Sequence, residues 1–307
     1  MHIITSGKNH LDIDAYAGII AYAELLNRQH ISAQAISTAK PNESVSPIVR
    51  SWGNPIETTY TPQLHDQFTL VDVSEPQFFD GIVKHSQINE VIDHHMDFKA
   101  MWDAKLGDKS QIAFVGAACT LVVERWVAAG QLEHMEQRTA RLLMCGILDN
   151  TLNFGAVITT DRDRQAYQQL SPLADLPDDW PAIYFTDCQQ TMVQNIPAAI
   201  RDDLKRITYP LQTEEVHVGQ MALWDASEVV ARHLPAIRET LAVRPRWYMN
   251  LISLKDGCSY LLCDDKDTQA WLAHTLAVQF EGNLAVAGRM WLRKEIMKQA
   301  MDKENNT

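Results

Sequence analysis

The segment from residue 2 to residue 37 constrains the fold most. HIITS (residues 2–6) is a short apolar run that reads as a buried strand. The polar stretch GKNHLDID (Gly7 to Asp14) follows it. DAYAGIIAYAELLNRQ, Asp14 to Gln29, then repeats apolar residues at helical spacing, as at Ala17, Ala21 and Leu25. ISAQAIS, from Ile31, reads as the next strand. Strand, loop, helix and strand in so short a span is the rhythm of a parallel sheet, whose neighbouring strands need a crossover helix between them. FTLVDV, from Phe68, and EVIDHH, from Glu90, are two more strands, and helical patterns follow at 116–130, 136–148 and 161–170.

In open parallel sheets, ligands bind beyond the carboxyl ends of the strands. Asp12 and Asp14, Asp72, and the triplet Asp93-His94-His95 all fall at such ends. Taken singly each is weak: Asp14 suits a helix N-cap, Asp72 a turn, and an Asp-His-His triplet can be structural. Taken together they supply the hard oxygen and imidazole ligands that Mn²⁺ or Mg²⁺ prefers.

The pattern changes after the first half. SPLADLPDDW, within 171–190, is rich in proline and acid and reads as a loop. Residues 191–205 read as helical, with Pro197 near a helix start. EEVHVGQMALW, RWYMNLISL and CSYLLCD are strand candidates, and 227–241, 267–276 and 288–302 carry helical patterns. The expected fold is therefore α/β. A parallel-sheet domain with helices on both faces spans 1–186, and a smaller α/β domain with a mixed sheet spans 187–307. No internal repeat is visible.

Composition narrows the partners. The net charge of −12 repels phosphate backbones, so long nucleic acid is a poor partner, while a small anionic substrate can still bind where cations invert the sign of one cleft. No segment resembles a signal peptide or a membrane span. The five cysteines are scattered, and Cys258 and Cys263 fit no zinc spacing; free thiols in a reducing cytoplasm are expected.

The order and context of these pieces resemble a family. IDHH at 92–95, the DID of Asp12–Asp14, LVD at 70–72 and LLMCGILDNTLNF at 142–154 resemble the four motifs of the DHH phosphoesterases. VGAACTLVVERW (115–126), TTDRDRQA (159–166) and WLRKEI (291–296) look like segments of the family II inorganic pyrophosphatases, and exopolyphosphatase- and prune-like relatives share the superfamily. The resemblance implies that 1–186 is the metal-binding DHH domain and 187–307 the DHH-associated substrate-binding domain. It implies that Asp14, Asp72, His94 and Asp149 hold one metal and that Asp12 and Asp72 contribute to a second. Asp93 would orient the imidazoles and His95 would contact substrate or leaving group. Arg293 and Lys294 match a basic pair that is brought over the phosphate, and Lys205 is a further substrate-binding candidate. Arg289, one turn before Arg293, is a basic neighbour. The cofactor implied is Mn²⁺, or Mg²⁺ or Co²⁺, as one or two ions, in a homodimer joined through the N-terminal domain.

The chain departs from the pyrophosphatase pattern at three points. Lys8 stands where those enzymes carry a histidine ligand, and an ammonium cannot ligate a metal. Either His10 turns inward in its place, or Lys8 itself supplies positive charge to phosphate. Asp72 continues as DVSEP rather than Asp-His-Asn-Glu, and Leu292 replaces a serine. The leading expectation is a metal-dependent hydrolase that cleaves phosphoanhydrides, pyrophosphate or short polyphosphate, with metal-activated water. A phosphodiesterase of nucleotides or very short oligonucleotides is the runner-up, with only EGNLAVAG (281–288) as a weak glycine-rich match. A weakly active or non-catalytic regulator is the third.

Overall fold

A computed structural model describes residues 1–9, 11–53, 55–209 and 215–304. Chain contacts divide it into two compact units, Met1–Pro181 and Ala182–Thr307.

In the first unit β1 (His2–Thr5), α1 (Ile13–Arg28), β2 (Ala33–Ala35), α2 (Pro47–Ser51), β3 (Gln67–Val71), β4 (Ile88–Asp93), α3 (Lys99–Leu106), β5 (Ser110–Ile112), α4 (Ala118–Ala128), α5 (Gln137–Asn150) and α6 (Asp161–Ala174) follow in chain order. The strands form one parallel sheet ordered β2-β1-β3-β4-β5. Strand order reverses at β1, so the crevice between β1 and β3 is the topological switch point, where ligands bind in such sheets.

Side-chain alternation decides which helix covers which face. Phe68, Leu70 and Val91 point into a cluster with Ile3 and Trp102 of α3. Thr69 and Glu90 point the other way, where Tyr22 of α1 donates to Glu90 Oε2 at 2.7 Å. Trp126 of α4 donates to the Ala21 carbonyl at 3.1 Å, which joins α4 to α1 on that face. The sheet thus carries helices on both faces.

The second unit begins within α7 (Trp180–Gln194) and continues with α8 (Ile196–Asp203), β6 (Lys205–Ile207), β7 (Val216–Leu223), α9 (Ala226–Leu241), β8 (Trp247–Ser253), β9 (Cys258–Leu262), α10 (Lys266–Leu276), β10 (Phe280–Glu281), β11 (Leu284–Ala287) and α11 (Arg293–Glu304). Its sheet runs β10-β11-β9-β8-β7-β6; β7 and β8 are parallel and the other pairs antiparallel, so the sheet is mixed.

Several local expectations are corrected. The loop expected at SPLADLPDDW (171–180) is helical at both ends. Pro172 falls in the last turn of α6, which stops at Asp175 in a left-handed conformation (φ 50°), and Pro181 sits in the first turn of α7, where no N–H bond is due. Lys205 is not at a helix end but in the edge strand β6, paired with Val218. The last helix begins at Arg293 rather than 288. Trp291 N donates to Ser259 Oγ (2.9 Å) and its carbonyl accepts Asn250 Nδ2 (2.6 Å), so backbone groups that a helix would need are taken by side chains from the sheet. EGNLAVAG is a hairpin, with Gly282 at φ 67° in the two-residue turn between β10 and β11. All five cysteines are free thiols. Among the described residues no helix is long and apolar enough to cross a membrane.

Candidate metal centre

The loop after β1 lies across the segment after β3. Gly7 bridges Phe79, and Lys8 N donates to the Phe78 carbonyl at 2.8 Å. The Lys8 side chain is exposed and makes no hydrogen bond or ion pair among the described residues. His10, the alternative ligand, lies outside the described residues. The N-cap of α1 is Asp12, whose Oδ1 accepts Ala15 N at 3.0 Å, not Asp14. The reason is that the helix starts at Ile13, one residue earlier than the apolar spacing indicates.

Asp72 follows β3 with φ 59°, a left-handed conformation that is costly for a non-glycine residue and that turns its side chain out of the strand's alternation. Its Oδ1 lies 3.3 Å from His94 Nε2 and 3.8 Å from His95 Nδ1. His94 is buried and directs Nδ1 to the Val115 carbonyl at 3.2 Å. A carbonyl only accepts, so Nδ1 carries a proton, and in the neutral ring the lone pair is then at Nε2, on the Asp72 side. Asp93 is fully buried; its Oδ1 accepts His94 N (2.7 Å) and His95 N (3.2 Å) and faces His95 Nδ1 at 2.8 Å. Burial pushes the Asp93 carboxyl up, but the hydrogen bond and charge of His95, then the charge of His94, hold it below the usual range. The His95 side chain remains 54% exposed, with Nε2 uncommitted to Asp93.

Ligand atoms of Asp72, Asp93, His94 and His95 all lie within 4.8 Å of one another. Carboxylate oxygen and neutral imidazole in that group fit Mn²⁺, Co²⁺ or Mg²⁺ better than a soft thiophilic ion.

Asp14 is held differently. It is fully buried in the first turn of α1, and its carboxylate accepts Ala118 N (2.8 Å) and Cys119 N (2.7 Å) at the N-terminus of α4, together with the side-chain amide of Asn150. A helix N-terminus suits an anion. Even so, burial above all, and next the charge of Asp72, push the Asp14 carboxyl up to about 7; Asp12 and His94 are also near enough to act on it. The charges of Asp72, His94 and Asp12 all act on Asp14, but the group of ligand atoms within 4.8 Å of one another comprises Asp72, Asp93, His94 and His95 and includes neither Asp14 nor Asp12. Asp149, half-buried at the end of α5, is adjacent in the chain to Asn150. Gly146 lets α5 come this close: a Cβ there would lie 2.5 Å from Cys119 Sγ and 3.2 Å from Asp14 Cα. Asn150 is a site residue that sequence reasoning missed, although it directly follows the motif aspartate and is the only amide in DNT.

The basic candidates of the second unit are described within that unit. The Arg293 guanidinium, 12% exposed, grips Asp203 through Nη1–Oδ2 (2.8 Å) and Nη2–Oδ1 (2.9 Å) and also donates to the Asp203 and Val218 carbonyls. Lys294 is exposed in the first turn of α11, and Lys205 is exposed on β6. Arg289 lies 3.3 Å above the Trp291 ring and donates to Glu295 at 3.0 Å.

The chain is similar to several known proteins. Residues 2–147 match the DHH family, N-terminal domain. The probable manganese-dependent inorganic pyrophosphatase of Deinococcus radiodurans is 28% identical over 239 residues, 74% of this chain and 72% of that protein. The probable manganese-dependent inorganic pyrophosphatase of Streptococcus mutans is 24% identical over 235 residues, 75% of this chain and 74% of that protein. Among solved structures, a Methanococcus jannaschii protein assigned to family II of the inorganic pyrophosphatases superposes with a TM-score of 0.68 at 18% identity, covering 98% of this chain and all of that one. An exopolyphosphatase-related protein of Bacteroides fragilis shares the fold more loosely, with a TM-score of 0.52 at 13% identity, covering 99% of this chain and 92% of that one. Asp12, Asp14, Asp72 and the Asp93-His94-His95 triplet all fall inside the matched segment, and the chain is thus similar to the DHH family N-terminal domain over residues 2–147 and to probable manganese-dependent inorganic pyrophosphatases over about three-quarters of its length.

Proposed function

We propose that this protein is a manganese- or magnesium-dependent phosphohydrolase that cleaves phosphoanhydride bonds in pyrophosphate or short polyphosphate. The observation that carries the reading is the pairing of His94 Nε2 with Asp72 Oδ1 at 3.3 Å, with His94 Nδ1 already committed to Val115. In its neutral form His94 turns an imidazole lone pair toward a carboxylate oxygen, an arrangement suited to a divalent cation. Asp72 and His94 would hold the ion, with Asp12, Asp14 and Asp149 completing the ligand set that the DHH resemblance implies. Bound there, the ion would supply Lewis acidity toward a phosphoryl oxygen and acidify a water.

The chain's own groups do the rest. Asp93 fixes the His95 ring through Nδ1, so the half-exposed side chain can present Nε2 to a phosphate oxygen or a leaving group. Lys8, Lys205, Lys294 and Arg293 are proposed as the cations that bind the substrate, with Arg293 reaching it only by leaving Asp203. Lys8 cannot ligate, so we assign one firmly held ion to the Asp72–His94 site. The resemblance further supports a homodimer, which light scattering would test.

The deciding experiment uses metal-stripped protein with added Mn²⁺, assayed against pyrophosphate, tripolyphosphate and a dinucleotide. Phosphate released from the anhydrides alone supports the proposal. Cleavage of the dinucleotide alone replaces it with a phosphodiesterase. Mn²⁺ binding without turnover of any of the three replaces it with a regulatory role.

A further inference from the structure

The carbonyl that accepts from His94 and the amide of Gly116 belong to one peptide unit, that between Val115 and Gly116. His94 Nδ1 lies 3.2 Å from Val115 O, and Gly116 N donates to Asp163 at 3.0 Å (Oδ1) and 2.9 Å (Oδ2). A planar, rigid group thus joins an imidazole on one side to a carboxylate on the other.

Asp163 is fully buried in the first turn of α6. Thr120 Oγ1 donates to its Oδ1 at 2.6 Å, and Thr160 N and Thr160 Oγ1 donate to its Oδ2 at 2.7 Å each. Every donor is neutral, and no ion pair to Asp163 is found among the described residues. Hydrogen bonds of this kind are strongest to an ionised acceptor. Gly116 makes the approach possible, since a Cβ there would stand 2.6 Å from Thr151 Cγ2 and 3.0 Å from Asp163 Oδ2.

We propose that Asp163 is a positioning residue for His94, acting through the Val115–Gly116 peptide. An anion on the N–H side of a peptide polarises it and strengthens its carbonyl as an acceptor, by about 10–30% per bond in a chain of hydrogen bonds. The stronger acceptor holds the proton on His94 Nδ1 and fixes the ring plane, so that Nε2 presents its lone pair toward Asp72. A histidine ligand is commonly oriented by a carboxylate or by a carbonyl. Here the two are in series, and the second motif aspartate of TTDRDRQA acquires a role at a centre it does not touch. The inference rests on reading His94 as a metal ligand, but its test does not depend on turnover.

Two readouts test it, both on purified full-length protein: ¹⁵N chemical shifts of His94 without metal, and Mn²⁺ affinity by calorimetry. In the wild type the Nδ1–H tautomer is expected to dominate. Asp163→Asn should raise the Nε2–H population and weaken Mn²⁺ binding about 10- to 100-fold. Thr120→Val removes a different bond to the same carboxylate and controls for simple loss of packing; it should lower the melting temperature while keeping the tautomer and the Mn²⁺ affinity. An Nε2–H tautomer in the wild type overturns the proposal even if Asp163→Asn does not fold. Unchanged shifts and affinity in Asp163→Asn, or equal weakening in Thr120→Val, also overturn it. Loss of the phosphohydrolase reading alone would leave both readouts intact.

Discussion

Asn150 donates its side-chain amide to the carboxylate of Asp14, which already accepts two backbone amides of α4. The amide contributes a third donor to a fully buried acid. Asn150→Ala should destabilise the metal-free protein by about 1–3 kcal/mol, the range for a buried acceptor that loses a partner. The effect should depend on pH. Asp14 titrates at about 7 in the fold against an ordinary 3.8, so its contribution to stability is fully present below 3.8 and is lost as pH rises to and through 7. Above that, the ionised form needs its donors most, and Asn150→Ala should cost more at pH 8 than at pH 5. Urea denaturation at the two pH values measures this; equal losses would show that Asp14 does not change its protonation state between them.

Asp72 separates binding from folding. Its left-handed backbone (φ 59°) is one that asparagine adopts at least as readily. Asp72→Asn should therefore fold normally without metal, yet bind Mn²⁺ weakly and hydrolyse nothing. In the wild type, Mn²⁺ at 100 times its Kd should add about 2.7 kcal/mol of stability by linkage, and chelation should remove it. The variant should show no such gain in a thermal melt. Turnover by Asp72→Asn would refute the assignment of Asp72 to the metal centre.

These two sites also show what a sequence can reveal. Asp72 and the His94–His95 pair were readable because each ends an apolar strand, and strand ends in a parallel sheet share an edge. The contact of Asn150 with Asp14 and the role proposed for Asp163 were not readable. They rest on contacts over 136 and 47 residues of chain, to Asp14 and to Gly116, which no local periodicity encodes. The β7, β8 and β9 strands were legible from their apolar runs, whereas β6, β10 and β11 are short and partly exposed, so their patterns carry little signal. The start of α11 was misplaced because Asn250 and Ser259, distant in sequence, bind the backbone of Trp291.

Lys8 offers a gain-of-function test. It is exposed on the loop between β1 and Asp12 and makes no side-chain bond among the described residues, so its replacement should cost within about 0.5 kcal/mol. Lys8→His restores an imidazole where the resemblance implies a second metal ligand. The wild type should bind one Mn²⁺ tightly and the variant two, as counted by calorimetry or by electron paramagnetic resonance of spin-coupled ions. Two tight ions in the wild type would remove Lys8 as the explanation of a changed site.

Arg293 and Asp203 form the last test, because the ion pair and the proposed phosphate role compete for the same guanidinium. The bidentate geometry and the two carbonyl acceptors leave Arg293 little donor capacity for an anion. If Arg293 binds substrate, phosphate must displace Asp203. Asp203→Asn removes the competing charge, so it should lower the KM for pyrophosphate. The same change weakens the clamp that joins α8, β7 and α11 and should cost about 1–3 kcal/mol of stability. Arg293→Lys keeps the charge but not the planar fork, so it should raise KM and destabilise as well. Steady-state kinetics beside urea denaturation separates the two roles. A KM that stays unchanged in Asp203→Asn while stability falls would make Arg293 a structural clamp and leave the phosphate to the lysines.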